Sequence, residues 1–326
     1  MPAASAVAAV LLSATFAAAS GPAVVLRLHD PALLESSGLA VSGRHDGILW
    51  THPDGGTAAR LMAVDGGGDT VATLTLRGID PYDPEALAPG PDGRSLWLGD
   101  IGDNSQRRPD VSVFVVREPR HLADRSVEAR WYRFSYPDGP HDAEALLVDE
   151  AGRVLIATKS FGDAGLYRSR TRLVPEAAGT NPLERIADVP PLVTDGAFLP
   201  DGRFVLRTYT EAHVYDRPGH QVATVALPPQ PQGESVAADR DGALLVGSEG
   251  TNSAVYRVPL PADVRSPAGG DDPSAADRSG SPSDGDQASG EQSSTEDRWR
   301  TAYLVARVVG ILVLLGGIVV VLRRRR

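Results

Sequence analysis

One unit recurs five times between residues 37 and 249, and no other feature constrains the chain as strongly. SGLAVSGRHDGILWTH begins at Ser37, EALAPGPDGRSLWLGD at Glu85, AEALLVDEAGRVLIATK at Ala143, DGAFLPDGRFVLRTY at Asp195 and ESVAADRDGALLVGSE at Glu234. Each reads as strand, turn, strand. The turns fall at Asp46-Gly47, Asp92-Gly93, Ala151-Gly152, Asp201-Gly202 and Asp241-Gly242, where glycine supplies the positive φ of a tight hairpin. The starts are 48, 58, 52 and 39 residues apart, and two further strand-like runs follow each hairpin, such as those opening at Val111 and Val127. Four strands per roughly 40 to 50 residues is the period of a β-propeller blade. The fifth unit is short by one strand, and the unpaired run AVVLRLHD, Ala23 to Asp30, is expected to complete it, closing the ring and removing two sheet edges. The expected fold is all-β, a five-bladed propeller closed by an N-terminal strand. A six-bladed ring with a degenerate blade near residues 100–135 is the alternative.

The ends of the chain read differently. Residues 1–19 form an apolar, small-residue stretch with Leu11, Leu12 and Phe16 at its centre and Ala17-Ala18-Ala19 as a cleavage site, the pattern of a secretory signal peptide. Residues 20–260 are then the propeller ectodomain. Residues 261–298 carry nine acidic residues against three arginines in a Ser/Gly/Pro/Asp-rich run, a composition that cannot bury enough apolar surface to order itself, and read as a disordered stalk. Within residues 299–322, Ala302 to Leu322 is long enough to cross a bilayer as one helix. Arg323 to Arg326 follow, a tail that the positive-inside rule places in the cytoplasm. The expectation is a single-pass cell-membrane protein, its partner the membrane through the C-terminal helix, its N-terminal domain extracellular.

Composition narrows the chemistry. The 326 residues contain no cysteine, which removes disulfide frameworks, thiol catalysis and iron–sulfur sites. A net charge of -10 argues against nucleic acid as a partner, since phosphate recognition draws on basic residues. Lys159 is the sole lysine. GxSxG, HExxH, P-loop and dinucleotide fingerprints are absent, so no reaction class is marked.

Candidate site residues follow from the repeat, because in a propeller the start of each inner strand and the end of the next share one rim. Glu85 with Asp100, Glu144 with Lys159, and Glu234 with Glu249 are each 15 apart; Asp195 with Arg207 and Glu35 with His52 are shorter and looser versions. Carboxylates crowded on one rim are hard oxygen ligands suited to Ca²⁺ or Mg²⁺. GDIGDN, Gly99 to Asn104, places Asp100, Asp103 and Asn104 within five residues, and these with Glu85 and Glu234 form the candidate metal set. Backbone capping is the competing reading of the same run. Lys159, Arg207, His52 and Asp100 break the repeat, and Lys159, Arg207, His52 and Glu249 are the candidate ligand contacts, although an ion-pair ring accounts for the same residues equally. His141 and Glu144 are the candidate catalytic residues, as acid or base.

The runs LWLGDIGDN (Leu96 to Asn104), VFVVREP (Val113 to Pro119), DAEALLVD (Asp142 to Asp149), VLRTYTEAHVY (Val205 to Tyr215) and GESVAADRDGALLVGSEG (Gly233 to Gly250) resemble a group of exported, membrane-anchored actinobacterial β-propeller proteins of undetermined activity. More distantly, the blade pattern is similar to that of gluconolactonase/regucalcin-like and phytase-like propellers, a resemblance that implies a divalent-cation site without assigning its chemistry. The leading expectation is a membrane-tethered extracellular propeller that binds a small-molecule, glycan or protein ligand through its channel face, with a divalent cation as a candidate component. The alternative is a divalent-cation-dependent hydrolase of a lactone or phosphoester.

Overall fold

In the computed structural model, which describes residues 21–265 apart from Thr57 and Thr171, the turn glycines Gly47, Gly93, Gly152, Gly202 and Gly242 all lie at positive φ, between 59° and 86°. Around these turns the chain builds five four-stranded antiparallel units. β1 (Ala23–Arg27) precedes the first unit, which comprises β2 (Ser36–Val41), β3 (Leu49–Pro53), β4 (Arg60–Val64) and β5 (Thr70–Leu76). The second unit takes β6 (Pro84–Pro89), β7 (Ser95–Asp100) and β8 (Val111–Arg117), passes through the short β9 (Arg125–Val127), and ends with β10 (Arg130–Ser135). β11 (Ala143–Val148), β12 (Val154–Thr158), β13 (Gly165–Ser169) and β14 (Thr180–Asp188) form the third unit; β15 (Asp195–Phe198), β16 (Phe204–Arg207), β17 (Glu211–Arg217) and β18 (His220–Ala226) form the fourth. β19 (Gly233–Ala238), β20 (Leu244–Ser248) and β21 (Ala254–Val258) form the fifth, and β1 pairs with β21 as its outer strand.

The inner strands β2, β6, β11, β15 and β19 are neighbours in that cyclic order, with β19 against β2. Five apolar layers fill the spaces between successive units. One example is the layer of Leu74, Trp50, Leu87 and Phe114 between the first and second; another, of Leu26, Leu39, Met62 and Val255, joins the fifth back to the first. Alternation along each strand supplies one apolar face to each layer, so every sheet is buried on both faces and packs like the interior of a sandwich repeated around an axis.

Two features correct the fold expected from sequence. First, the units are not independent blades: β10 pairs in parallel with β14 (Arg133↔Thr180, Phe134↔Asn181, Ser135↔Pro182), fusing the second and third units into one eight-stranded sheet, and β9 pairs in parallel with β5. Strands that would otherwise present unpaired N–H and C=O groups at the outer rim are thereby covered. The Asn181 side chain completes the seam, donating to the carbonyls of Arg133 (3.0 Å) and Val174 (2.9 Å) and accepting from the Val174 N–H (2.8 Å). Residues 100–135 are used in the first two units, so they build no sixth blade.

Second, among the described residues no helix is long and apolar enough to cross a membrane, the longest being the single turn Ala262–Arg265. The transmembrane helix, the membrane as partner and the single-pass localisation with an extracellular domain are therefore not retained. The segments 1–19, 299–322 and 323–326, and the proposed stalk beyond Arg265, lie outside the described residues.

Register breaks mark where the site is built. β2, β6, β11 and β19 each carry a bulge near their start, between Ser36 and Leu39, Pro84 and Ala86, Ala143 and Ala145, and Gly233 and Val236. A bulge takes a residue out of the ladder and re-aims its side chain. Glu85, Glu144 and Glu234 lie at three of these positions; β15, which has no bulge, pairs regularly with Asp195 opposite Arg207.

Candidate metal centre

Glu85, Glu144 and Glu234 are buried. Their nearest acidic neighbours are Glu35, Asp54, Asp83, Asp142 and Glu249, all close enough for mutual repulsion. Lys159 is the one cation that faces Asp54, Glu85, Glu144, Glu234 and Glu249 in common. Its ammonium donates to Glu144 Oε1 and lies 5.3 Å from the centre of the Tyr209 ring.

This imbalance governs protonation. Burial, then repulsion from Asp83, Glu35 and Glu234, pushes the Asp54 carboxyl up to about 7; burial, Glu234 and Asp54 push Glu249 up to about 8. Burial also raises Glu85, with Glu144 and Asp54 adding to it. Burial disfavours the Lys159 ammonium, but Glu144 and Glu234 outweigh it and hold Lys159 above the ordinary lysine range. Carboxylates held this close stay ionised near neutral pH only if a cation joins them.

Asp54, Asp83 and Glu85 supply the geometry for one. Each offers a carboxylate oxygen, and the three oxygens lie within 4.8 Å of one another. Asp54 follows the end of β3, while Asp83 and Glu85 flank Pro84 at the start of β6, so the cluster bridges the first and second units. Three anionic oxygens at this spacing, partly open to solvent, match the donor chemistry of a hard divalent cation with water completing its shell.

Of the five residues expected to hold a metal, only Glu85 belongs to this group. Asp100 Oδ1 instead accepts from the Asp83 N–H (2.8 Å) and from Arg108 (3.0 Å). Asp103 Oδ2 caps the backbone N–H groups of Arg107 (2.6 Å) and Arg108 (2.7 Å), and the Asn104 side chain lies beside the Asp83 carboxylate and favours its charged form. Glu234 lies beside Lys159 and Gln232.

Among the expected ligand contacts, His52 is fully buried. Its Nε2 accepts from the Gly38 N–H (3.0 Å) and its Nδ1 faces the Pro53 carbonyl (3.2 Å); burial lowers its pKa to about 4, so it is a neutral structural residue. Arg207 is also fully buried, donating to the carbonyls of Ser235 (2.5 Å) and Gly247 (2.7 Å) and to Gln230 Oε1 (2.6 Å), which ties the fourth unit to the fifth. His141 bonds Asp138 (2.9 Å) and Tyr167 (3.1 Å), while Glu144, the other catalytic candidate, is held by Lys159. Sequence reasoning missed Asp54 and Asp83. Their signal was positional: each lies two residues outside the repeated rim positions, Asp54 two after His52 and Asp83 two before Glu85.

No protein-family model matches the chain, and no curated protein is similar to it in sequence. Solved structures with a related course include a glucose dehydrogenase (14% identity, 74% of this chain and 100% of that one, TM-score 0.47). Others are a gluconolactonase from Xanthomonas campestris (16%, 69% and 72%, 0.45) and the soluble aldose sugar dehydrogenase from Escherichia coli (15%, 73% and 99%, 0.45). These likenesses are too distant for substrate or reaction to be taken from them. The resemblance to exported, membrane-anchored actinobacterial propellers has no family model or curated relative behind it and is not retained. The membrane-tethered ligand-binding reading falls with it, since the described residues supply no membrane helix and the assembled feature is an acidic cation cluster.

Proposed function

We propose that the chain is a divalent-cation-dependent hydrolase of a lactone or phosphoester, with Ca²⁺ or Mg²⁺ held by Asp54, Asp83 and Glu85. The observation that carries this reading is the convergence of those three carboxylate oxygens within 4.8 Å. A cation held there would polarise an ester or phosphoryl oxygen and lower the pKa of a bound water. The chain's own residues supply the rest: Glu249, pushed up to about 8, lies beside the cluster without belonging to it and carries a proton near neutral pH that it can give to a leaving group, while Lys159 contributes fixed positive charge for an anion developing on the substrate. Glu144 serves as the anchor of Lys159 in this scheme.

The test is isothermal titration of Ca²⁺ and Mg²⁺ into chelator-stripped protein, followed by hydrolysis assays on aliphatic lactones and phosphomonoesters. Binding of either ion that drops at least about tenfold in Asp83→Asn, a loss of about 1.4 kcal/mol, with cation-dependent turnover of one substrate class, supports the reading. Absence of binding by both ions refutes it.

A further inference from the structure

The Asp100–Arg108 loop contributes nothing to the three-carboxylate cluster, yet it is tied to one member of it at every level. Asp83 N–H donates to Asp100 Oδ1 (2.8 Å), and Gly102 N–H donates to the Asp83 carbonyl (3.0 Å), so the backbone of Asp83 is fixed from both sides. Arg108 locks the loop in turn, donating to Asp100 Oδ1 (3.0 Å) and to the Gly102 carbonyl (2.7 Å) while its guanidinium lies 4.9 Å from the centre of the Tyr82 ring. Asp103 holds the returning strand through the Arg107 and Arg108 N–H groups, and its own N–H donates to Asp142 Oδ1 (2.9 Å).

The Asp83 side chain lies against this clamp. It packs over Gly102 so closely that a Cβ there would fall 2.5 Å from Asp83 Oδ2, 2.6 Å from Cγ and 2.9 Å from Cβ. The Asn104 side-chain amide lies beside the same carboxylate on the exposed side of the loop and favours its charged form. The bare Cα of Gly102 therefore admits the carboxylate beside that amide, at the spacing that brings it to Asp54 and Glu85.

We infer that Gly102 and Asn104 are positioning residues that aim the Asp83 carboxylate at the cation, the role a supporting shell plays for a metal ligand. This rests on the cation site proposed above. A methyl group at residue 102 cannot be absorbed by the backbone, which is bonded on both sides, so the Asp83 carboxylate must turn away and surrender its coordination position to water.

Terbium(III), a luminescent oxygen-seeking stand-in for Ca²⁺, reads that exchange directly, because its lifetime in H₂O against D₂O counts coordinated waters. The full-length protein, Gly102→Ala, Asn104→Ala and Asp83→Asn are compared for terbium affinity, bound-water number and cation-free melting temperature. Expected is an affinity at least about tenfold weaker and about one additional water in Gly102→Ala and Asp83→Asn. Asn104→Ala, at an exposed position, should show a several-fold weaker affinity with an unchanged cation-free melting temperature. Wild-type binding with unaltered affinity and water number in both Gly102→Ala and Asn104→Ala overturns the positioning role while leaving the cation site standing. If Gly102→Ala does not fold, Asn104→Ala alone decides in the same way. No terbium bound by the wild type overturns both.

Discussion

Lys159→Met isolates the electrostatics of the site. Lys159 is the cation common to five buried or half-buried carboxylates and contacts Glu144 directly, with side-chain exposures of 16% and 7%. Methionine keeps the apolar stem and removes the ammonium. Burial already raises the Glu144 carboxyl in the wild type against the pull of Lys159; without the ammonium, burial and repulsion from Glu234 and Asp142 all favour its neutral form, so it folds protonated. For a carboxyl with an ordinary pKa of 4.5, remaining neutral costs 1.36 kcal/mol per pH unit above that value, or about 4 kcal/mol at pH 7.5 and under about 1 kcal/mol at pH 5. The sign follows from linkage: a carboxyl whose folded pKa is raised keeps its full stability below the unfolded value and loses it as pH rises toward the folded one. The variant should therefore be destabilised by up to about 3 kcal/mol more at pH 7.5 than at pH 5, or up to about 6–12 °C of melting temperature for a domain of this size. Circular dichroism melts of the chelator-treated protein at the two pH values measure this, with Glu144→Gln/Lys159→Met as the control in which most of the pH difference disappears. An equal loss at both pH values, or a difference that persists in the double variant, refutes the argument.

The wild type without divalent cation should itself lose stability as pH rises from about 4 to about 8, because Asp54 and Glu249 have folded pKa values raised to about 7 and about 8; 5 mM Ca²⁺ should flatten that slope, and a slope unchanged by either ion in parallel melts would speak against cation binding at these groups. A cation present at about 100 times its dissociation constant should raise wild-type stability by about 2.7 kcal/mol, seen by calorimetry, and Asp54→Asn should remove most of the gain. Gly233→Ala would place a methyl group 2.0 Å from the buried Arg207 guanidinium and should cost about 2–3 kcal/mol in denaturant titrations, whereas an unaltered midpoint would mean that the fourth and fifth units can shift apart. Deleting residues 23–27 strips the outer strand from the fifth unit and removes buried Leu26 from its apolar layer, so the melting temperature should fall by at least about 4 °C; an unchanged value would show β1 to be dispensable.

Periodic features were readable in the sequence and aperiodic ones were not. The five Asp/Ala-Gly turns announced hairpins because a two-residue reversal demands positive φ, and all five glycines adopt it. The parallel β10–β14 seam left no such trace, since it pairs strands 45 or more residues apart through backbone groups that every residue carries. At the site, counting 15 residues from Glu144 to Lys159 found a genuine contact. The same count from Glu85 to Asp100 did not, because the second hairpin is one residue longer: Pro84 pairs with Asp100 where Ala143 pairs with Thr158, and Glu85 faces Asp54 and Asp83 instead. Hairpin length and bulges shift a register locally, and the period was the only ruler available. GDIGDN was noticed for its oxygen atoms, whereas its glycine at residue 102 leaves room for Asp83, whose Oδ2 would lie 2.5 Å from a Cβ placed there.

The seam between β10 and β14 also divides the ring mechanically. Together with the β5–β9 pairing it braces the outer circumference of the first three units, whereas β18 of the fourth and β1 of the fifth each pair on one side only among the described residues. Asp54, Asp83, Glu85, Glu144 and Lys159 all stand on the braced arc; Glu234 and Glu249 stand on the compliant one. Thermal breathing therefore concentrates where the ring is least tied. Amide exchange should be fastest in β18 and β1, so that the cation-binding carboxylates keep a fixed spacing while the opposite wall yields to whatever enters.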